Sequence, residues 1–331
     1  KFAREKIDAT RIDAEAKMPQ EIISGLGQLG ILGLATPEEF GGLGLSQFAY
    51  AKMMEELGKI CGSTATFVGA HQSIGMKAIL LFGTEEQKKK YLPELATGAK
   101  IAAFALTEPN AGSDAGSIQT TATLSEDGSS FILNGSKHFI TNAGIASLLT
   151  VFAKQEIEIE GKKEKKISAF IITRDMPGVT MDRDEEKMGI RGSVTNGFRL
   201  ENVRVPKENL LGEPGKGFKI AMDVLNYGRL GLAAGCLGAS RKLLGLSLDH
   251  AKQREQFGKR LCDFEMIKHK LSDMEIDIFV MESIVDLSVK TADRKDTDFS
   301  IEAAICKVFA SEALWRVVNN AVQINGGDGY M

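Results

Sequence analysis

Two changes of hydrophobic rhythm along the chain, near residues 101 and 212, predict an α+β fold. It comprises an N-terminal helical domain over residues 1–100, a middle β-barrel or β-sandwich domain over 101–213, and a C-terminal helical bundle over 214–331. Apolar residues recur every three or four positions in the first hundred residues and alternate from Ile101 to about Leu211. Helical spacing returns after the turn string Gly212-Glu-Pro-Gly-Lys-Gly217. At 331 residues and 43% hydrophobic content, the chain can fill two or three cores.

Each element has its own signal. Pro19 opens a helix that closes near Gly30, and the short piece Gly30 to Ala35 carries a strand-like pattern. Ser46 is the N-cap of a second helix, with Phe48, Ala51, Met54 and Leu57 on one face, ending at Gly62; Ser63 begins a third that runs to Phe82. Thr84 and Gln87 form a capping box for a helix reaching Pro93. In the middle domain Ile101 to Leu106 reads as a buried strand. Phe131-Ile-Leu and Ser136 to Thr141 predict a hairpin turning at Asn134-Gly135, and Leu148 to Lys154, Ile167 to Thr173 and Gly197 to Val205 predict further strands. Glu156 to Lys166, nearly all charged, suits a solvated hairpin tip. In the bundle, Leu225, Leu232, Cys236 and Ala239 mark one long helix and Ile267, Leu271, Met274 and Ile278 a second. Ile301, Ala304, Ile305, Val308 and Phe309 mark the third. Each glycine between Gly231 and Gly245 costs about 1 kcal/mol of helix propensity, which predicts close helix-helix packing there.

Charge narrows the function. With 41 basic and 44 acidic residues, a formal net charge of -3 and a pI near 6.0, no nucleic-acid partner is implied. Cys61, Cys236, Cys262 and Cys306 stand singly and read as reduced core thiols. The four histidines never fall at metal-ligand spacing, so no metal is expected. No apolar run reaches the roughly 18 to 20 residues that span a bilayer, and Lys1-Phe-Ala-Arg carries no signal-peptide pattern. Both ends read as cut, so a targeting segment and functional residues are expected outside the chain.

The chemistry concentrates in Phe104-Ala-Leu-Thr-Glu-Pro-Asn-Ala-Gly-Ser-Asp114. A strand ends at Thr107, Pro109 stops it, and Asn110 to Asp114 is expected to form a tight turn whose small residues admit a flat or anionic ligand. Around this stretch stand, in order, Pro37-Glu-Glu-Phe-Gly-Gly-Leu-Gly44, Gly83-Thr-Glu-Glu-Gln87, Leu106 to Asp114, Asn134-Gly-Ser-Lys137, Phe139-Ile-Thr-Asn142, Arg204-Val-Pro206, Arg254-Glu-Gln-Phe-Gly258 and Gln323-Ile-Asn-Gly-Gly327. Eight strings in this order, with the predicted domains between them, resemble the acyl-CoA dehydrogenase family over all 331 residues, and most resemble its very-long-chain branch.

The resemblance implies FAD as cofactor and acyl-CoA as substrate. Cofactor contacts would come from Phe104, Leu106, Thr107, Gly112 and Ser113 and from Phe139, Ile140 and Thr141, with Thr141 near flavin N5 and Phe139 standing where many members have Trp. Arg254, Gln256, Phe257, Gln323, Gly326 and Gly327 would reach a neighbouring subunit's FAD, implying a homodimer or homotetramer. Ser113, Asn226, Tyr227, Gly228 and Arg229 would contact the acyl-CoA, Gly228 giving room to a long acyl chain. The implied reaction is α,β-dehydrogenation to trans-2-enoyl-CoA in fatty-acid β-oxidation, with electron-transferring flavoprotein as acceptor. The implied place is the cytoplasm of a bacterium or the mitochondrial matrix of a eukaryote. The catalytic glutamate is expected beyond Met331, and Glu108 is expected to be a structural residue of the cradle. Two other readings compete: an oxidase or monooxygenase on the same scaffold, and a weakly active assembly factor.

Overall fold

A run of alternating apolar residues can be buried only when its backbone is paired, and the middle of this chain meets that need with one mixed sheet. The computed structural model describes residues 1–159, 161–294 and 297–331. By internal packing the chain divides into two units, Asp8–Leu45 with Thr66–Gly228, and Lys1–Ile7 with Ser46–Ala65 and Arg229–Met331.

The sheet belongs to the first unit. Its strands are β1 (Ala102–Ala105), β2 (Thr121–Leu124), β3 (Ser130–Thr141), β4 (Leu148–Ile159), β5 (Lys162–Thr173), β6 (Val179–Asp184), β7 (Thr195–Pro206) and β8 (Leu210–Leu211). They lie in the order β6-β7-β3-β2-β4-β5-β8, with β1 parallel to β4. The hairpin expected at Asn134-Gly135 is not there. β3 runs straight through both residues, and a register shift between Leu133 and Gly135 makes them a bulge against β7. The turn instead falls at Ser125–Gly128, where Gly128 takes φ 68° and the Gly128 N–H donates to the Ser125 carbonyl at 2.9 Å. The charged segment 156–166 forms the arms of the β4–β5 hairpin, with Glu156 paired to Lys163 at 2.8 Å; Glu160 lies outside the described residues.

The unit also holds the helices α2 (Ala9–Glu15) and α3 (Gln20–Gln28), and α6 (Lys77–Phe82) and α7 (Glu85–Ala96), the last two packed on the sheet. Gly30 to Ala35 is not a strand, because Ile31–Gly33 is a single 3-10 turn. The Thr84–Gln87 capping box forms in full, and α7 passes Pro93 to end at Ala96. The helix expected from Ser63 to Phe82 is broken. After α5 (Gly62–Gly69), residues Ala70–Gly75 form a π-helical turn marked by the Met76 N–H donating to the His71 carbonyl at 2.9 Å.

In the second unit α4 (Gln47–Gly58) packs with the long helices α8 (Gly217–Gln253, from Arg229 on), α9 (Glu265–Ala292) and α10 (Ser300–Asn325), beside the short α1 (Phe2–Lys6) and α11 (Gly327–Tyr330). The predicted close packing is present: a Cβ added at Gly58 would strike the Gly235 backbone, and one at Gly238 the Glu55 backbone. Glu55 is 7% exposed and is held by Lys52 (3.6 Å), Lys59 (3.4 Å) and Arg241 (3.0 Å). The apolar residues that mark α10 in the sequence are not its buried face. Ala303, Cys306, Ala310, Ala313 and Val317 are buried, whereas Ile301, Ile305 and Val308 are 70%, 54% and 58% exposed. Leu232 on α8 likewise faces outward. Small residues allow close helix approach, so the small stripe faces inward and the bulky one outward.

Candidate functional site

β1 is buried along its length, and the chain stays largely buried through Glu108 before it emerges at Pro109. The Phe104 ring packs on Phe152 at 4.9 Å and the Leu106 side chain lies in the same core, so both offer a ligand only main chain. Reciprocal hydrogen bonds of 3.1 Å between Glu108 and Ala111 close a tight turn through Pro109-Asn110. The turn therefore comes earlier than the Asn110 to Asp114 expected. Asp114 instead accepts from Ser117 through both N–H (3.1 Å) and Oγ (2.9 Å), leading into a 3-10 turn. Gly112 and Ser113 are exposed between these turns, with no heavy atom within 4 Å of a Cβ added at Gly112.

Facing this stretch is the end of β3. Its pairing with β7 shifts between Lys137 and Ile140, and Phe139 takes φ 55°. That bulge leaves the Phe139 ring 60% exposed beside His138 (3.9 Å between centroids), while Ile140 turns into the core. The His138 N–H donates to the Thr107 carbonyl at 3.0 Å, which ties half-buried Thr107 to the residue just before Phe139. Asn142, buried with φ 68°, bonds the Val194 carbonyl through its N–H and the Phe67 carbonyl through Nδ2. Its Oδ1 has no partner among the described residues.

Under the cradle lies a side chain that carried no role in the sequence. Lys137 is fully buried, and its Nζ donates to Glu108 Oε1 (2.7 Å), the Phe152 carbonyl (2.7 Å) and the Leu106 carbonyl (3.2 Å). Burial pulls its ammonium down to about 8, and contact with Glu108 resists that fall, so it remains charged at neutral pH. Burial acts to raise the Glu108 carboxyl, but Lys137 and donors from Gln119 and Thr120 outweigh it and hold the group below its ordinary range. A carboxylate so engaged is unsuited to abstract a proton near neutral pH, consistent with the structural part expected of Glu108. The available signal was a single Lys at a core-facing position of an apolar strand.

On α8, Asn226 is buried and the Tyr227 ring lies under the Lys77 ammonium at 4.4 Å. The room at Gly228 is already used, since an added Cβ would lie 2.8 Å from the Ile74 methyl of the π-helical turn. Half-buried Arg229 belongs to the other unit. In that unit Arg254 precedes a two-stranded ribbon, β9 (Glu255–Gln256) and β10 (Lys259–Arg260). Its turn, Phe257-Gly258, has φ 54° and 78°, and Phe257 is 93% exposed. Gln323 is exposed on the last turn of α10, and exposed Gly326 (φ 60°) and Gly327 lead into α11.

Uncharged hydroxyl donors, small exposed residues and an aromatic ring held off the sheet fit a flat polar ring system such as a flavin. The chain carries the sequence profiles of the acyl-CoA dehydrogenase N-terminal domain over residues 1–99, middle domain over 103–203 and C-terminal domain over 215–331. It belongs to the acyl-CoA dehydrogenase family. Butyryl-CoA dehydrogenase from Megasphaera elsdenii shares its fold at a TM-score of 0.94 and 42% identity, over 100% of this chain and 86% of that one. An acyl-CoA dehydrogenase complexed with FAD from Bacillus anthracis matches at a TM-score of 0.87 and 42% identity, over 94% and 55%. In sequence, the very long-chain specific acyl-CoA dehydrogenase of Bos taurus mitochondria is 45% identical over 100% of this chain and 51% of its own length. The chain thus spans about half the length of the very-long-chain relatives it matches. No described helix is long and apolar enough to cross a membrane.

Proposed function

We propose that the protein is an FAD-dependent dehydrogenase that converts acyl-CoA thioesters, long-chain ones in particular, to trans-2-enoyl-CoA in fatty-acid β-oxidation. The observation that carries this reading is the bond from the His138 N–H to the Thr107 carbonyl, which ties the strand end at Thr107 to the β3 segment carrying the exposed Phe139 ring and Thr141, in a member of this family. When bound, the flavin supplies the hydride acceptor. Thr107 and Thr141 would offer it hydroxyl donors, which favour developing negative charge. Phe139 would shield it from water. Phe104, Leu106, Gly112 and Ile140 would contribute main chain, and Ser113 would contact cofactor and thioester.

Asn226, Tyr227, Gly228 and Arg229 hold the acyl-CoA. Arg254 offers paired donors to a pyrophosphate, and Gln256, Phe257, Gln323, Gly326 and Gly327 complete the cofactor contacts of a neighbouring subunit, in a homodimer or homotetramer. Electron-transferring flavoprotein takes the electrons onward. The compartment follows the source, cytoplasm in a bacterium and mitochondrial matrix in a eukaryote. The proton-abstracting base is assigned to no residue of this chain.

The preference for long chains is supported by the 45% identity to the very-long-chain enzyme and by the Asn226-Tyr-Gly-Arg229 string. Anaerobic mixing of the FAD-loaded full-length protein with palmitoyl-CoA should bleach the flavin band, faster than with butyryl-CoA. An unbleached band with both would sink the dehydrogenase reading, and faster bleaching with butyryl-CoA would sink the preference.

A further inference from the structure

A buried lysine is costly, and a methionine of similar volume would fill the space under the cradle without that cost. Lys137 is nevertheless completely satisfied, three N–H donors meeting three acceptors, and Glu108 accepts further from the Gln119 N–H, the Thr120 N–H (3.1 Å) and Thr120 Oγ1 (2.5 Å). The bonds fall at selected places. Lys137 holds residue 106 by its carbonyl and residue 108 by its carboxylate, while the adjacent His138 N–H holds the carbonyl of residue 107 between them. Through Gln119 and Thr120 the same carboxylate also fastens the far end of the loop that carries Gly112 and Ser113. Both ends of the cradle loop and the start of the Phe139 bulge therefore meet at one ion pair. Apolar contacts would hold these segments together but would tolerate sliding; directional bonds to a buried charge do not.

We propose that the Lys137–Glu108 pair is a positioning device that locks Thr107 and the loop through Ser113 in register with Phe139 and Thr141. In this way it sets FAD affinity and flavin reduction potential from beneath the site. The proposal rests on the reading of this cradle as the flavin site. Lys137 and Glu108 act through Thr107, Phe139 and Thr141, and no proton moves.

The test uses the full-length protein and the variants Lys137→Met, Glu108→Gln and the double variant. FAD binding to apoprotein is followed by quenching of flavin fluorescence, and the reduction potential of each loaded protein is measured. Each single variant, which leaves one member of the pair buried alone, should weaken FAD binding by about tenfold or more and displace the potential. The double variant should recover part of both losses. Singles that bind FAD as the wild type does, at unchanged potential, would overturn the proposal even if their melting temperatures fall. Singles that do not fold would also overturn it, because the pair would then serve the whole fold. If the wild type takes up no FAD, the cofactor reading fails, and amide hydrogen exchange of the apoproteins decides the clamp separately. Faster exchange in Lys137→Met confined to residues 107–120 supports it; unchanged or uniformly faster exchange refutes it.

Discussion

A single histidine shows how far a residue's neighbours fix its chemistry. His71 is fully buried; its Nδ1 accepts the Ala102 N–H at 3.1 Å, so its Nε2 must carry the proton donated to the Leu95 carbonyl at 3.0 Å. This neutral tautomer joins the π-helical turn to both α7 and β1. Burial lowers the imidazole to about 4 from an ordinary value near 6.5, with the Leu95 bond acting weakly the other way. Because the folded value is the lower one, the unfolded chain takes up the proton first. The contribution to stability is therefore complete above about pH 6.5 and is lost as pH falls toward 4, by up to roughly 3 kcal/mol. Urea unfolding of wild type and His71→Gln at pH 7.5 and pH 5 should show a smaller pH loss in the variant; equal losses would assign that pH dependence to other groups. Nothing in the string Ala70-His-Gln-Ser73 announced this role. Its two bonding partners lie 24 and 31 residues away, beyond any local pattern.

At the scale of elements, the sequence was legible where one strong local rule acted and not where two rules competed. The capping box at Thr84 and the N-cap at Ser46 formed where expected, because each needs only its own turn. Asn134-Gly135 has the composition of a hairpin turn, yet pairing of β3 with β7 on both sides of it outweighed that preference and made it a bulge. On α10 the helical period was right, but bulky residues that carried it lie outward, since period alone does not choose between a small stripe and a bulky one. The glycines of α8 are a case the sequence did anticipate, and they give a paired prediction. Gly238→Ala drives a methyl into the backbone of α4 at Glu55, which cannot swing aside as a side chain can. It should cost on the order of 1–3 kcal/mol despite the better helix propensity of alanine. Gly245→Ala, with no heavy atom within 4 Å of the new methyl, should instead be neutral or stabilising by up to about 1 kcal/mol. Denaturant titrations that found the two variants equally stable would remove close approach as the reason for Gly238.

For the whole molecule, the decisive question is whether one chain suffices to build a cofactor site. The order of domains and the middle-domain half of the candidate site could be read from motif strings, because a cradle of consecutive residues keeps its spacing in one dimension. A contribution from a second copy has no such spacing within one chain, and the strings at Arg254 and Gln323 point to it only through the family resemblance. The ribbon at Arg254 to Arg260 offers a physical pointer: Phe257 is 93% exposed at the tip of a tight turn, a costly place for an aromatic ring unless something covers it. Under the proposed function that cover is the neighbouring subunit's cofactor region, so damage to ribbon and damage to cradle should complement each other. Arg254→Glu disables the ribbon that a subunit lends, whereas Lys137→Met disables the cradle that it owns. In a dimer containing one subunit of each kind, one site combines both defects and the other has an intact cradle and an intact ribbon. Mixing and refolding the two weakly binding proteins, at FAD too dilute to load either alone, should therefore restore flavin binding to about half the sites of the mixed dimers, seen as returning yellow absorbance in a fraction separated by charge tag. If ribbon and cradle served the same chain, every mixed dimer would contain only defective sites and the fraction would stay colourless.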